Sequence, residues 1–173
     1  MIYPPELLDQ LQAARSAPFQ GLVYRHMFAN NPPFAINTRG ARWNPPEVGA
    51  IYTSVERNTA LAEAEHLISL QSLRPRAKRT LYELSIDLKS VLDLTPDDLL
   101  NAVGIGKAEL EALDFKECQI VGGAIAWLDH DGLLVPSARR QGGTNLVIFP
   151  ASQDTEQEWA IVQEEVLEDP TRT

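Results

Sequence analysis

Cysteine is almost missing from this 173-residue chain, where Cys118 stands alone. No intramolecular disulfide can form, which fits a reducing compartment. Ile120 and Val121 beside it point to a packed thiol, not a nucleophile. Histidine is scarce as well. His26, His66 and His130 share no metal-ligand spacing with one another or with Cys118, so no metal site is expected. No apolar run approaches the roughly 20 residues of a membrane helix. The N-terminal stretch carries Glu6 and Asp9 and no apolar core, so it does not read as a secretory signal. The expected location is cytoplasmic, with no membrane partner. Positive charge is also short: 15 Lys and Arg against 24 Asp and Glu give a formal net charge of −9. That balance opposes direct binding to nucleic acid, yet permits a local basic pocket or a basic protein partner. Familiar nucleotide fingerprints are missing too. Gly104-Ile105-Gly106-Lys107 lacks Walker spacing, has no Ser or Thr after the lysine and follows a helix, so it reads as a helix stop and restart. No β-helix-β unit with a Gly-rich crossover is found, which argues against a doubly wound fold.

The segments that are present describe an α+β domain built on antiparallel sheets with flanking helices. Its length suits a single domain able to bury a core without metal or disulfide. Residues 4–16 read as a short helix with prolines at its start and Leu7, Leu8 and Leu11 on one stripe. Gly21 to Phe28 reads as a strand, with Arg25 the charged group among apolar neighbours. Arg25 is either an edge residue or a rim arginine in need of an anion. Ala29 to Pro46 is a long loop, and long loops in compact domains are often functional. Ala50 to Ser54 is a strand, and Asn58-Thr59 cap a helix running to about Ser72. Arg79 to Leu88 alternates as a half-buried strand. Thr95-Pro96-Asp97-Asp98 starts a helix, Lys107 to Leu113 forms another, and Gln119 to His130 a third. Leu133 to Val135 and Thr144 to Phe149 form a broad hairpin, with Ser137 at the end of its first strand. The acidic tail after Pro150 reads as a closing helix or a strand extension.

One stretch, Thr38 to Glu63, concentrates the chemistry. A polar loop holds Arg39, Gly40, Arg42, Trp43 and Asn44, a short strand holds Tyr52, and a helix delivers Glu63. Arginine forks, an aromatic face and a carboxylate together suit an anionic, ring-containing ligand such as a nucleotide.

Several pieces in order resemble the RES domain family: Tyr24-Arg25, Gly40-Ala41-Arg42-Trp43-Asn44-Pro45-Pro46, Ile51-Tyr52-Thr53-Ser54, Thr59-Ala60-Leu61-Ala62-Glu63, Val135-Pro136-Ser137-Ala138-Arg139 and Asn145-Leu146-Val147. The likeness runs from about Gly21 to Pro150, leaving the N-terminal helix and the acidic tail outside. Ala41 departs from it, standing where a second glycine is expected. The family is named for an arginine, a glutamate and a serine, which here are Arg25, Glu63 and Ser137. The resemblance implies an ADP-ribosyltransferase-like fold and NAD as substrate. It implies a toxin of a bacterial toxin–antitoxin pair whose partner is a Xre-like helix-turn-helix antitoxin. The reaction implied is cleavage of NAD by hydrolysis or phosphorolysis, with ADP-ribosyl transfer to a protein as the alternative; a non-catalytic nucleotide- or partner-binding module is a further one.

NAD chemistry gives each residue a task. Breaking the nicotinamide–ribose bond develops oxocarbenium character, which a carboxylate, Glu63, stabilises. Glu65 is a rival two positions on, but on a helix it points roughly 200° away. Arg25 and Arg42 serve the diphosphate, with Arg39 a less certain neighbour. Tyr52 stacks on the nicotinamide. Ser137 offers a hydroxyl to the ligand or to Glu63 and is not placed as a nucleophile. Trp43 either shapes the pocket or anchors its loop in the core, and Asn145 braces backbone.

Overall fold

A computed structural model describes residues 1–29, 31–73, 76–150 and 159–168. The elements in chain order are α1 (Pro5–Ala13), β1 (Ser16–Phe28), β2 (Ile51–Ser54), α2 (Arg57–Ser69), β3 (Arg79–Asp93), α3 (Asp97–Ala102), α4 (Lys107–Glu111), α5 (Lys116–Trp127), β4 (Gly132–Pro136), β5 (Thr144–Ile148) and β6 (Ala160–Leu167). The mixed α+β class expected from the sequence is what forms.

The strands make one sheet in the order β1-β2-β5-β4-β3-β6, and β1 also pairs with β3. Five strands therefore close on themselves, and β6 extends β3 on its other side. The expectation of antiparallel sheets needs one correction, because β3 and β4 run parallel. Parallel neighbours require a crossover, and residues 94–131 with α3, α4 and α5 supply it. All the other pairings are antiparallel.

Alternation along the strands sorts the core into two parts. Leu146 and Ile148 of β5 join Val23, Ile51, Leu84, Ile86, Leu88 and Val91 on one face. Val147 and the following Phe149 join Leu133, Val135 and Leu92 on the other, where α1 and α5 pack through Leu7, Leu11, Val121 and Ile125. Trp43 and Cys118 belong to this second cluster. Trp43 thus anchors its loop, and burial pushes the Cys118 thiol up to about 11. The Trp43 backbone lies against α5 at Gly122, where a Cβ would overlap the Trp43 carbonyl oxygen. Only glycine permits that approach.

Several boundaries differ from the sequence reading. β1 starts five residues before Gly21, and β3 continues five past Leu88. Asn58 and Thr59 lie inside α2, whose N-cap is Glu56. The Thr59 hydroxyl donates to the Glu56 carboxylate at 2.6 Å in place of a backbone cap. Gly104, at φ +85°, closes α3, and Gly106 opens α4 with its N–H donating to Glu109. The described part of the tail is strand, not helix, paired with β3 from Ser85↔Ala160 to Arg79↔Leu167. No helix among the described residues is long and apolar enough to cross a membrane.

Candidate active site

A cleft of about 410 Å³ opens between α2, the C-terminal half of β1, β2 and the loop 37–42. Arg25, Arg42, Tyr52 and Glu63 all line it, together with His66, Arg139 and Asn145. Leu67, Leu70, Leu113 and Phe115 complete an otherwise apolar wall.

Glu63 sits on the helix face turned toward the 137–145 connection. The Ser137 hydroxyl donates to its Oε1 at 2.7 Å, and the Asn145 amide nitrogen donates to the same oxygen at 2.7 Å. The Ser137 Oγ in turn accepts from the backbone N–H groups of Arg139 at 3.1 Å and Arg140 at 3.2 Å. A hydroxyl has one proton and two lone pairs. All three are committed, so of the two roles read from the sequence Ser137 fills the one toward Glu63. Earlier turns of α2 grip the same connection. Glu56 accepts the Thr144 N–H at 2.9 Å, and Thr59 Oγ1 accepts from Arg140 at 3.2 Å.

Arg25 is partly buried, and its Nη1 donates to the Pro33 carbonyl at 2.6 Å. It has no ion pair among the described residues. Burial lowers it to about 10, so it stays charged at neutral pH. A desolvated cation without a counter-charge favours an anion in the cleft.

Arg42 reaches the cleft but is already engaged. Its Nη1 donates to the carbonyls of Glu109 at 3.2 Å and Ala112 at 3.0 Å, and its Cζ lies 4.6 Å from the centroid of Phe115. It therefore ties the loop to the end of α4 while leaving charge at the cleft wall. Arg39 is not among the lining residues. The Tyr52 hydroxyl bridges the loop, accepting from the Trp43 N–H at 2.8 Å and donating to Asn44 Oδ1 at 2.7 Å. Burial raises its pKa further above the usual phenol range. What Tyr52 offers the cleft is its ring. The rival carboxylate, Glu65, points elsewhere and pairs with Arg79 of β3 at 3.0 Å.

Arg139, Asn145 and His66 are among the cleft residues that sequence reasoning did not place there. Arg139 and Asn145 lay inside motifs already singled out, and His66 lies one helical turn after Glu63. Asn145 braces a carboxylate, not backbone. No group of three or more His, Cys, Asp or Glu able to hold a metal occurs among the described residues.

His26 lines the same cleft, and its Nε2 is buried without a hydrogen-bond partner. Burial, then the charge of Arg79, lower it to about 4, with Glu65 opposing. The unfolded chain takes up this proton near pH 6.5, the folded chain only near 4. Stability is therefore lost as pH falls through that window. Thermal melts from pH 7 to 4.5 are expected to fall more steeply for the native chain than for His26→Gln, and equal slopes would refute this.

The fold and this constellation define the class. Residues 12–168 match the RES domain family, and the chain belongs to it. Among individual proteins, it is 33% identical over 157 residues to the NAD(+) phosphorylase MbcT of Mycobacterium tuberculosis, covering 86% of this chain and 83% of the relative. The MbcT of Mycobacterium bovis gives the same figures. The crystal structure of the M. tuberculosis MbcT–MbcA toxin–antitoxin complex superposes with a TM-score of 0.83 at 26% identity, over 95% of this chain and 93% of that one.

Proposed function

We propose that this chain is an NAD-cleaving toxin of a toxin–antitoxin pair, acting in the cytoplasm as a single RES-type domain. The observation that carries the reading is the Glu63 carboxylate, pinned by Ser137 and Asn145 in the wall of a cleft that also holds Arg25, which has no ion pair among the described residues. A fixed anion and a cation lining one cleft suit a substrate whose diphosphate is negative and whose ribose turns positive as nicotinamide departs.

Arg25 takes the diphosphate, with Arg42 adding charge from the wall. Tyr52 faces the nicotinamide ring. Glu63 stabilises the oxocarbenium-like ribose, and Ser137 holds Glu63. The C1′–N bond breaks with its electron pair leaving on nicotinamide, which departs neutral. An acceptor oxygen then bonds to C1′. A relative named NAD(+) phosphorylase supports inorganic phosphate as that acceptor, giving ADP-ribose phosphorylated at the anomeric carbon. The arrangement of a carboxylate on a helix against a closed sheet is in keeping with an ADP-ribosyltransferase-like fold. The chemistry needs no metal.

The relative's structure with its antitoxin supports an antitoxin partner here. A Xre-like helix-turn-helix protein fits, because a basic DNA-binding partner complements the −9 charge of this chain, a charge that opposes direct binding to nucleic acid.

Purified protein incubated with NAD is expected to release nicotinamide only when phosphate is present. Release without phosphate would indicate hydrolysis, and label carried from NAD onto a macromolecule would indicate ADP-ribosyl transfer. No nicotinamide under any of these conditions would overturn the reading.

A further inference from the structure

We propose that Asn145 and Ser54 are positioning residues that set the plane of the Glu63 carboxylate; this rests on the NAD-cleaving reading above. The two lie directly opposite each other on β5 and β2, at the register pair Ser54↔Asn145. The Ser54 hydroxyl donates to Asn145 Oδ1 at 2.7 Å, and Asn145 Nδ2 donates to Glu63 Oε1 at 2.7 Å.

The order of these bonds fixes the amide. An asparagine side chain has a carbonyl end that accepts and an NH₂ end that donates. With Ser54 delivering its proton to the carbonyl, the NH₂ end is left to face Glu63. Ser54 is buried and Asn145 half-buried at the inner wall of the cleft, so the hydroxyl reaches that carbonyl from the protein side. If the amide flipped, two acceptors would face each other across the Glu63 contact. Ser54 therefore acts at two removes, by holding Asn145 in the one orientation that serves the carboxylate.

Glu63 Oε1 then carries two donors that arrive from different segments, Ser137 beyond β4 and Asn145 on β5. Two donors on one oxygen restrict rotation of the carboxylate about its terminal bond. Oε2 takes no hydrogen bond among the described residues and is the oxygen presented to the ribose. Charge-assisted bonds of this kind are short and stronger than neutral ones. They hold the negative charge where the positive charge develops, at no reorganisation cost during the reaction.

Asn145→Asp is the discriminating variant. At high pH the introduced carboxylate repels Glu63 and cannot donate. Two carboxyl groups at hydrogen-bond distance hold one shared proton strongly. Once that proton is bound, the introduced carboxyl donates to Glu63 as the amide did. The kcat for nicotinamide release in Asn145→Asp is therefore expected to fall at least tenfold below the native enzyme at pH 8.5, and the gap to narrow several-fold by pH 6. Asn145→Ala is expected to be impaired equally at both pH values. Ser54→Ala should lower kcat several-fold while KM for NAD changes less than twofold, because the substrate contacts remain. Melting temperatures identify any variant that fails to fold.

Native turnover is measured first in the same assay, and its absence would defeat the NAD reading itself. With native turnover present, two results would overturn the positioning role alone. One is a ratio of Asn145→Asp to native kcat that does not change with pH. The other is a folded Ser54→Ala with native kcat.

Discussion

Glu63→Gln is expected to lower kcat for nicotinamide release by about 10²–10³-fold, the scale for loss of one preorganised electrostatic group, roughly 3–4 kcal/mol. The change is chosen to keep shape. A Gln amide oxygen can still accept from Ser137 and Asn145, whereas Glu63→Ala would leave both donors unpaired and cost about 1–3 kcal/mol of stability. KM for NAD should move little, because in the proposed reading the diphosphate is bound by Arg25. The checks are steady-state kinetics with phosphate in excess, alongside a thermal melt. A folded Glu63→Gln protein that turns over at the native rate would remove this carboxylate from the chemistry.

The second large effect concerns stability and lies away from the cleft. Gly122→Ala places a Cβ against the Trp43 carbonyl oxygen, a rigid backbone atom. Neither the helix nor the loop can relieve the overlap by turning a side chain. Overpacking costs about 1–3 kcal/mol, and a clash with a backbone atom puts this one near the upper end, about 3 kcal/mol. For a domain of this size that is a fall in Tm of about 6–12 °C. Gly142→Ala is the control. Gly142 has φ +75° with open space around the added Cβ, so only the left-handed backbone is penalised, by roughly 1–2 kcal/mol. Equal melts for the two variants would show that the Trp43 approach carries no special cost. Because Trp43 sits between Arg42 and Asn44, loss of this contact should also loosen the loop that borders the cleft.

The sequence made some of this legible and hid the rest for identifiable reasons. Arg79 to Leu88 alternates, and it is strand. Its extension to Asp93 was hidden because Lys89 and Ser90 interrupt the apolar alternation ahead of the buried Val91 and Leu92. The tail was ambiguous because β6 is exposed along most of its length, so burial imposes no period on it. What makes it a strand is the free side of β3, and a partner strand leaves no local mark. At the cleft, Glu63 and Ser137 were found through motifs, and the structure brings them together. Asn145 and Ser54 were quoted in the same motifs without their task, since that task depends on cross-strand register. Arg42 and the Tyr52 hydroxyl show the opposite case. Residue type suggested ligand contact, while their hydrogen-bonding atoms hold the loop in place.

The partners of Glu63 lie 74 and 82 positions downstream of it. That spacing has a meaning for synthesis as well as for geometry. A chain emerging from the ribosome acquires its carboxylate early but cannot orient it until β4 and β5 are made and paired. Every shorter intermediate carries the reactive group without its brace. For a protein able to drain the NAD of the cell that makes it, harmfulness would arrive only once β4 and β5 have been made and paired, and that delay would give a partner made beforehand time to be waiting.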